Sequence, residues 1–270
     1  MESGGLNSSD RARVTLRVIQ RMRLLFLNPN TSPNLTEAAA QVARNVARPD
    51  TEILTATGRF GARYITTRAT AAIAGHAALD AFARQKEGVD VVLLACFGDP
   101  GLFALRELAR VPVVGMAEAS CHMASTLGRK FSIVTGGHRW GPMLEELVEA
   151  IGLADKLASV RAVAPSGDEI AAKPEAALAG LIAACTRAAE DDGAEAVILG
   201  GLGLAGLADL LVDKVPVPVV DNVVAGIRMA EAAAALGVAK ARTGSFAPAT
   251  PIKTKGLSAQ LASLIEGSGE

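Results

Sequence analysis

The chain has 270 residues, half of them hydrophobic and a fifth charged, which suits one or two globular domains and excludes a disordered polymer. A net charge of -1 and an aromatic content of 3% give no electrostatic or stacking case for nucleic acid or an anionic membrane surface. No apolar run approaches the roughly 20 residues that a membrane span needs.

Residues 1–21 are polar and arginine-rich, with Gly4-Gly5 and Ser8-Ser9, and lack the long apolar core of a secretory signal. They read as a flexible extension outside the fold. Strand and helix patterns then alternate. Strands are predicted over 23–27, 51–56, 89–94, 111–115, 131–135, 160–164, 194–199 and 217–220. Helices are predicted over 33–47, 69–86, 102–109, 117–127, 142–151, 167–191, 207–212, 222–236 and 257–265, with an extended tail over 243–255. Regular alternation of this kind predicts an α/β fold with mostly parallel sheets flanked by helices.

The stretch Val89 to Gly101, VDVVLLACFGDPG, organises the rest. Its apolar, β-branched run suits a strand buried on both faces. Asp99 followed by Pro100 reads as an N-cap with proline at the first helical position. Cys96 would then stand at the carboxyl end of a central strand, ahead of a helix N-terminus. Ligands bind at that edge of open α/β sheets, and a helix N-terminus favours the thiolate. The alternative is a small buried apolar residue, as most free cysteines are.

An internal repeat is visible. Arg23 opens RLLFLN and Lys130 opens KFSIVT, and about 66 residues separate Asn30 from Cys96 and Thr135 from Gly201. LACFGDPG at Leu94 to Gly101 aligns with LGGLGLAG at Leu199 to Gly206, which sets Cys96 opposite Gly201. Two similar lobes are therefore expected, related by a pseudo-twofold axis, with strand-end loops lining a shared cleft. The expected division is 22–118 with 222–256 for the first lobe, 119–221 for the second, and 257–270 as a C-terminal tail and helix.

Chemistry concentrates on these loops. Cys96 is the candidate acid or base. The N–H groups of Phe97 and Gly98 suit an oxyanion. Asn28 to Ser32 offers amides and hydroxyls to a small polar ligand, or else caps turns. Thr135-Gly136-Gly137 presents N–H groups to an anion or forms a left-handed turn. The glycines at 200, 201, 203 and 206 do not fit a dinucleotide loop. His138 is a candidate acid or base, and Arg63 a candidate attractor for an anion. Asp221 and Asn222 read as helix caps. Cys121 and Cys185 read as packing residues. Three cysteines are too few and scattered for a disulfide framework or zinc knuckle, and His76, His122 and His138 share no metal-ligand spacing, so no metal site is expected. A reducing cytoplasm is the simplest compartment.

Several of these segments resemble the aspartate/glutamate/hydantoin racemase family. LNPNTS at Leu27 to Ser32 is similar to its opening loop. ACFGDPGLFALREL at Ala95 to Leu108 resembles the first cysteine loop of the hydantoin and allantoin racemase branch. VPVVGMAEASCHMAS and LGRKFSIVT resemble the segments that follow. The resemblance runs from about Met22 to Ala241. It implies a two-lobed pseudo-dimer with the site between lobes, no cofactor, a small-molecule substrate and a homo-oligomer. It also implies a pair of cysteines, one removing the proton α to a carbonyl and one delivering a proton to the opposite face. Cys96 matches the first. Gly201, in Gly200-Gly201-Leu202-Gly203-Leu204, stands at the second.

The resemblance thus implies an isomerase acting on an amino acid derivative or hydantoin-like substrate. Cys96 would be the thiol acid or base, and Asn30, Phe97, Gly98, Thr135, Gly136, Gly201 and Leu202 would bind substrate. The missing second thiol leaves two alternatives, a single-cysteine decarboxylase of the same family or a silent small-molecule-binding homologue.

Overall fold

The computed structural model describes residues 21–164 and 166–268. The expected extension over 1–21 lies outside the described residues except for Arg21. In chain order the elements are β1 Met22–Asn28, α1 Pro33–Val46, β2 Thr51–Thr57, α2 Arg68–Gln85, β3 Val91–Leu94, α3 Leu102–Leu108, β4 Val113–Gly115, α4 Met116–Leu127, β5 Phe131–Gly136, α5 Trp140–Ala150, β6 Leu157–Val163, α6 Gly167–Ala172, α7 Pro174–Glu190, β7 Ala196–Gly200, β8 Val219–Asp221, α8 Asn222–Ala235 and α9 Ala259–Glu266. The strands form two four-stranded parallel sheets of identical order, β2-β1-β3-β4 and β6-β5-β7-β8. The duplicated architecture expected from the repeat is present.

Period-2 alternation divides each central strand between two cores. In the first sheet, Leu24, Phe26, Val91 and Leu93 enter the large core that joins the lobes, while Leu25, Leu27, Val92 and Leu94 enter an outer core. In the second sheet, Phe131, Ile133, Ala196 and Ile198 face the shared core, and Val134, Val197 and Leu199 face the other way. Both faces are covered, which explains why these strands are apolar throughout. Two helices exchange sheets. α4 follows β4 yet packs on α8 and, of the strands, chiefly on β7, and α8 follows β8 yet packs on β3 and β4. The lobe division proposed here, 22–118 with 222–256 against 119–221, follows that exchange.

Several boundaries differ from the sequence reading. The helix expected over 167–191 is two helices, because Pro174 has no N–H to continue α6 and opens α7 at its first position. The helix expected over 207–212 contracts to a single 3-10 turn, Ala208–Leu210. β6 starts at Leu157 rather than at 160. Ser32 precedes Pro33 as expected but makes no side-chain cap to α1.

The lobes lock through aromatic rings seated on glycines. A Cβ at Gly98 would lie 2.5 Å from Trp140 Cζ3, and one at Gly200 would lie 2.5 Å from Phe97 Cε1. Trp140 belongs to the second lobe and Gly98 to the first. Phe97 and Gly200 reverse that relation. Gly98 also has φ +128, a backbone conformation that side chains resist. Gly98→Ala is therefore expected to destabilise the fold by about 1–3 kcal/mol, read as a lower urea midpoint. An unchanged midpoint would contradict the interlocking.

Candidate active site

β1, β3, β5 and β7 end at the same edge, and their loops converge on one small cavity. It is lined by Asn28, Asn30, Leu35, Tyr64, Ile65, Ala95, Cys96, Phe97, Thr135, Trp140, Gly201 and Leu202. Six of the eight expected site residues are here. Gly98 and Gly136 are not on its wall: Gly98 supports Trp140 from behind, and Gly136 is the buried last residue of β5. His138 and Arg63 are exposed and stand away from the wall. The cavity measures about 30 Å³, close to the share of volume that one water takes in the liquid. This is a closed form, and an organic ligand needs the walls to part.

The loop after β3 departs from the expected capping. Gly101, with φ +83, precedes α3, and Asp99 is not its N-cap. Asp99 instead reaches through space to α4. Its Oδ1 accepts from Ala117 N at 3.0 Å and its Oδ2 from Glu118 N at 2.8 Å. A Cβ at Gly115 would lie 2.3 Å from Asp99 Oδ2, so glycine makes the room. Asp99 N also donates to Cys96 O at 3.0 Å, which fixes the turn carrying the thiol. In the second lobe Asp221 caps its own helix, accepting from Val223 N, Val224 N and Gly206 N.

Cys96 is 8% exposed. Burial pushes its thiol pKa far up, and the Asp99 charge adds to that rise. The expectation that a helix N-terminus would favour the thiolate is therefore overturned in this closed form: no helix begins at Cys96, and the nearest carboxylate repels a second negative charge. The resting group is a neutral thiol, the proton-donor state. Asp99 is itself pushed up to about 7 by burial, against the lowering effect of the two α4 N–H groups. Cys121 and Cys185 are buried free thiols away from the cavity, as packing residues would be.

Neutral donors line the rest. Asn28 is fully engaged, donating to Asn30 Oδ1 and Thr36 Oγ1 and accepting from Asn30 N. It builds the loop, as a turn-capping residue does. Asn30 Oδ1 also accepts from Ser32 N, which leaves Nδ2 without a partner among the described residues. The N–H groups of Phe97, Gly98, Leu202 and Gly203 likewise have no described protein acceptor. Gly137 N is committed to Val163 O and Gly137 has φ +91, so the chain leaves β5 in a left-handed turn at Gly137 rather than forming an anion nest.

Leu35, Tyr64, Ile65, Ala95 and Trp140 are wall residues that sequence reasoning missed, and the two rings among them join the lobes. Tyr64 OH accepts from Gly167 N at 2.9 Å, joining the 58–67 segment of the first lobe to α6 of the second. No local pattern marks either ring, because each acts on the opposite lobe. Among the described residues, no group of three or more His, Cys, Asp or Glu side chains is placed to hold a metal ion, and no helix is long and apolar enough to cross a membrane.

Residues 24–230 match the family described as Asp/Glu/Hydantoin racemase. The chain belongs to the Asp/Glu/hydantoin racemase family. Within that family it is similar to the hydantoin racemase of Pseudomonas sp. (strain NS671), 37% identical over 217 residues, covering 80% of this chain and 87% of that one. Among solved structures, allantoin racemase from Pseudomonas fluorescens superposes with a TM-score of 0.84 at 35% identity, covering 87% of this chain and 100% of that one. Allantoin racemase from Klebsiella pneumoniae gives 0.80 at 38% identity, covering 90% and 98%. The two-lobed fold is thus that of these Asp/Glu/hydantoin racemase family members.

The raised Asp99 pKa has a thermodynamic consequence. The unfolded carboxyl ionises at about 3.9 and the folded one at about 7. As pH rises between those values the unfolded chain releases its proton first, so the folded state loses relative stability. The slope of unfolding free energy against pH over that window should be less negative in Asp99→Asn than in the parent. Equal slopes in both proteins would contradict the buried carboxyl.

Proposed function

We propose that the protein is a cofactor-independent isomerase of the racemase type, acting at the carbon α to a carbonyl of a neutral, hydantoin-like cyclic ureide. Cys96 is the thiol acid or base of that reaction. The observation that carries this reading is the wall of the Cys96 cavity, which contains one thiol and no Lys, Arg, His, Asp or Glu. A free amino acid would bring an ammonium and a carboxylate with no counter-charge to meet either, and an unpaired buried charge is costly. A cyclic ureide brings only amide donors and acceptors. Hydantoin and allantoin racemases match at 34–38% identity over most of their length, which supports the same class.

In this reading Cys96 must lose its proton before the site closes, because the closed site holds it neutral. The thiolate then takes the α-proton. Negative charge moves to the substrate carbonyl, where the N–H groups of Phe97 or Leu202 and the amide of Asn30 receive it. Asp99 opposes ionisation of the thiol, so the rate should rise with pH into the alkaline range.

Gly201 on its own favours a second reading, a single-thiol lyase that protonates one face after loss of carbon dioxide. The neutral wall weighs against it, since a malonate carries two charges into the site.

Enantiopure 5-substituted hydantoins, allantoin, free amino acids and arylmalonates separate these readings in deuterium oxide, followed by NMR for α-proton exchange and by carbon dioxide release. Exchange of the ureides alone is expected, and Cys96→Ala should slow it by about 10²–10⁴-fold. Full activity in Cys96→Ala would sink the assignment of the thiol. Exchange of free amino acids, or release of carbon dioxide from the malonates, would sink the substrate class.

A further inference from the structure

The racemisation reading leaves one face of the substrate without a thiol, because Gly201 occupies the second-lobe position. The gap there is bordered by one methyl group and one hydroxyl. A Cβ at Gly201 would lie 3.9 Å from Thr135 Oγ1 and 3.2 Å from Leu204 Cδ1. Thr135 is 3% exposed, and its hydroxyl has no hydrogen-bond partner among the described residues. Among the described residues the one sealed side-chain polar atom without a partner is Asn222 Oδ1, so the Thr135 hydroxyl is open to the cavity and to a solvent molecule there. Asn30 Nδ2 and the N–H of Leu202 are uncommitted in the same cavity. The cavity they share with Cys96 is about 30 Å³, room for one water with several polar partners.

Resting on the racemase reading above, we infer that a water molecule held by Thr135 Oγ1 in the Gly201 gap is the proton donor for the substrate face that Cys96 does not serve. Thr135 is then a positioning residue that acts through the water. The step balances as follows. The Cys96 thiolate takes the α-proton, breaking C–H and forming S–H, and the electron pair moves onto the carbonyl oxygen. The enolate carbon then takes a proton from the water on the opposite face, which restores the carbonyl and leaves hydroxide. When the site opens, the thiol and hydroxide exchange that proton through solvent, which regenerates thiolate and water.

Water is a weaker acid than a thiol, even one whose pKa burial has pushed far up. Return of a proton from Cys96 should therefore outrun delivery from the water. Exchange with retention should be faster than inversion, in contrast to a site with a thiol on each side.

The test uses the full chain, one enantiopure 5-substituted hydantoin and deuterium oxide. Exchange is followed by NMR and inversion by chiral chromatography, each corrected for the uncatalysed rate. In the parent, exchange should exceed inversion by at least about tenfold. Thr135→Val should lower the inversion-to-exchange ratio by at least about tenfold further, and Thr135→Ser, which keeps the hydroxyl, should hold the parent ratio. Gly201→Cys should raise the ratio toward one. Gly201 has φ +137, so this variant carries backbone strain. Where it does not fold, the Thr135→Val and Thr135→Ser pair decides. A parent ratio of one, or a ratio unmoved by Thr135→Val, would overturn the water assignment alone. Absence of Cys96-dependent exchange with every hydantoin would overturn the racemase reading and this inference with it.

Discussion

The site exists because two aromatic rings each sit on a glycine of the opposite lobe. Phe97 covers Gly200 and Trp140 covers Gly98. Full burial of a ring of this size stabilises by about 1.5–3 kcal/mol or more, and here the same burial sets the distance between two loops. The glycines stand close to the two positions proposed to flank the substrate, Gly98 two residues after Cys96 and Gly200 directly before Gly201. Packing between lobes and geometry of the cavity are thus one constraint. Any side chain at either glycine would push the loops apart before it touched a substrate.

Electrostatics follow from the same closeness. Closure removes water from Cys96 and raises its pKa, and the carboxylate that anchors its loop raises it further. Asp99 stands beside the thiol because it caps α4 across the turn, and that helix packs on the second lobe's β7. The second lobe solves the equivalent problem with Asp221 at the strand end itself. The pseudo-twofold is therefore exact in topology and broken in chemistry. One side has a thiol with a remote carboxylate behind it, and the other has Gly201 beside the uncommitted hydroxyl of Thr135.

Much of this was legible in the sequence because it is local or periodic. The apolar run before Cys96, the turn residues after it and the repeat that sets Gly201 opposite it give the duplicated parallel architecture, the strand edge and the missing thiol. Asn30, Phe97, Thr135 and Leu202 follow from those loops. What sequence could not carry depends on pairs far apart in the chain. Trp140 is recognised only by its seat on Gly98, and Tyr64 only by its bond to Gly167. Asp99 reads as a cap for the next helix because proline follows it, yet its carboxylate serves the helix after that. The thiol's ionisation was misjudged for the same reason. Proximity to a helix start is a sequence property, whereas burial and a through-space carboxylate are tertiary ones. The break at Pro174 was visible as a residue but masked by the helical pattern on both sides of it.

The central claim is that a neutral ureide sits between Cys96 and Gly201, with one thiol facing its α-carbon. A crystal structure of the protein with a 5-substituted hydantoin bound tests it most directly. The account predicts the ring α-carbon within about 3.5 Å of Cys96 Sγ, Gly201 and Thr135 on the opposite face, and ring polar atoms on Asn30 and on the loop N–H groups. A ligand seated away from Cys96, or one held there by a charged side chain, would contradict it.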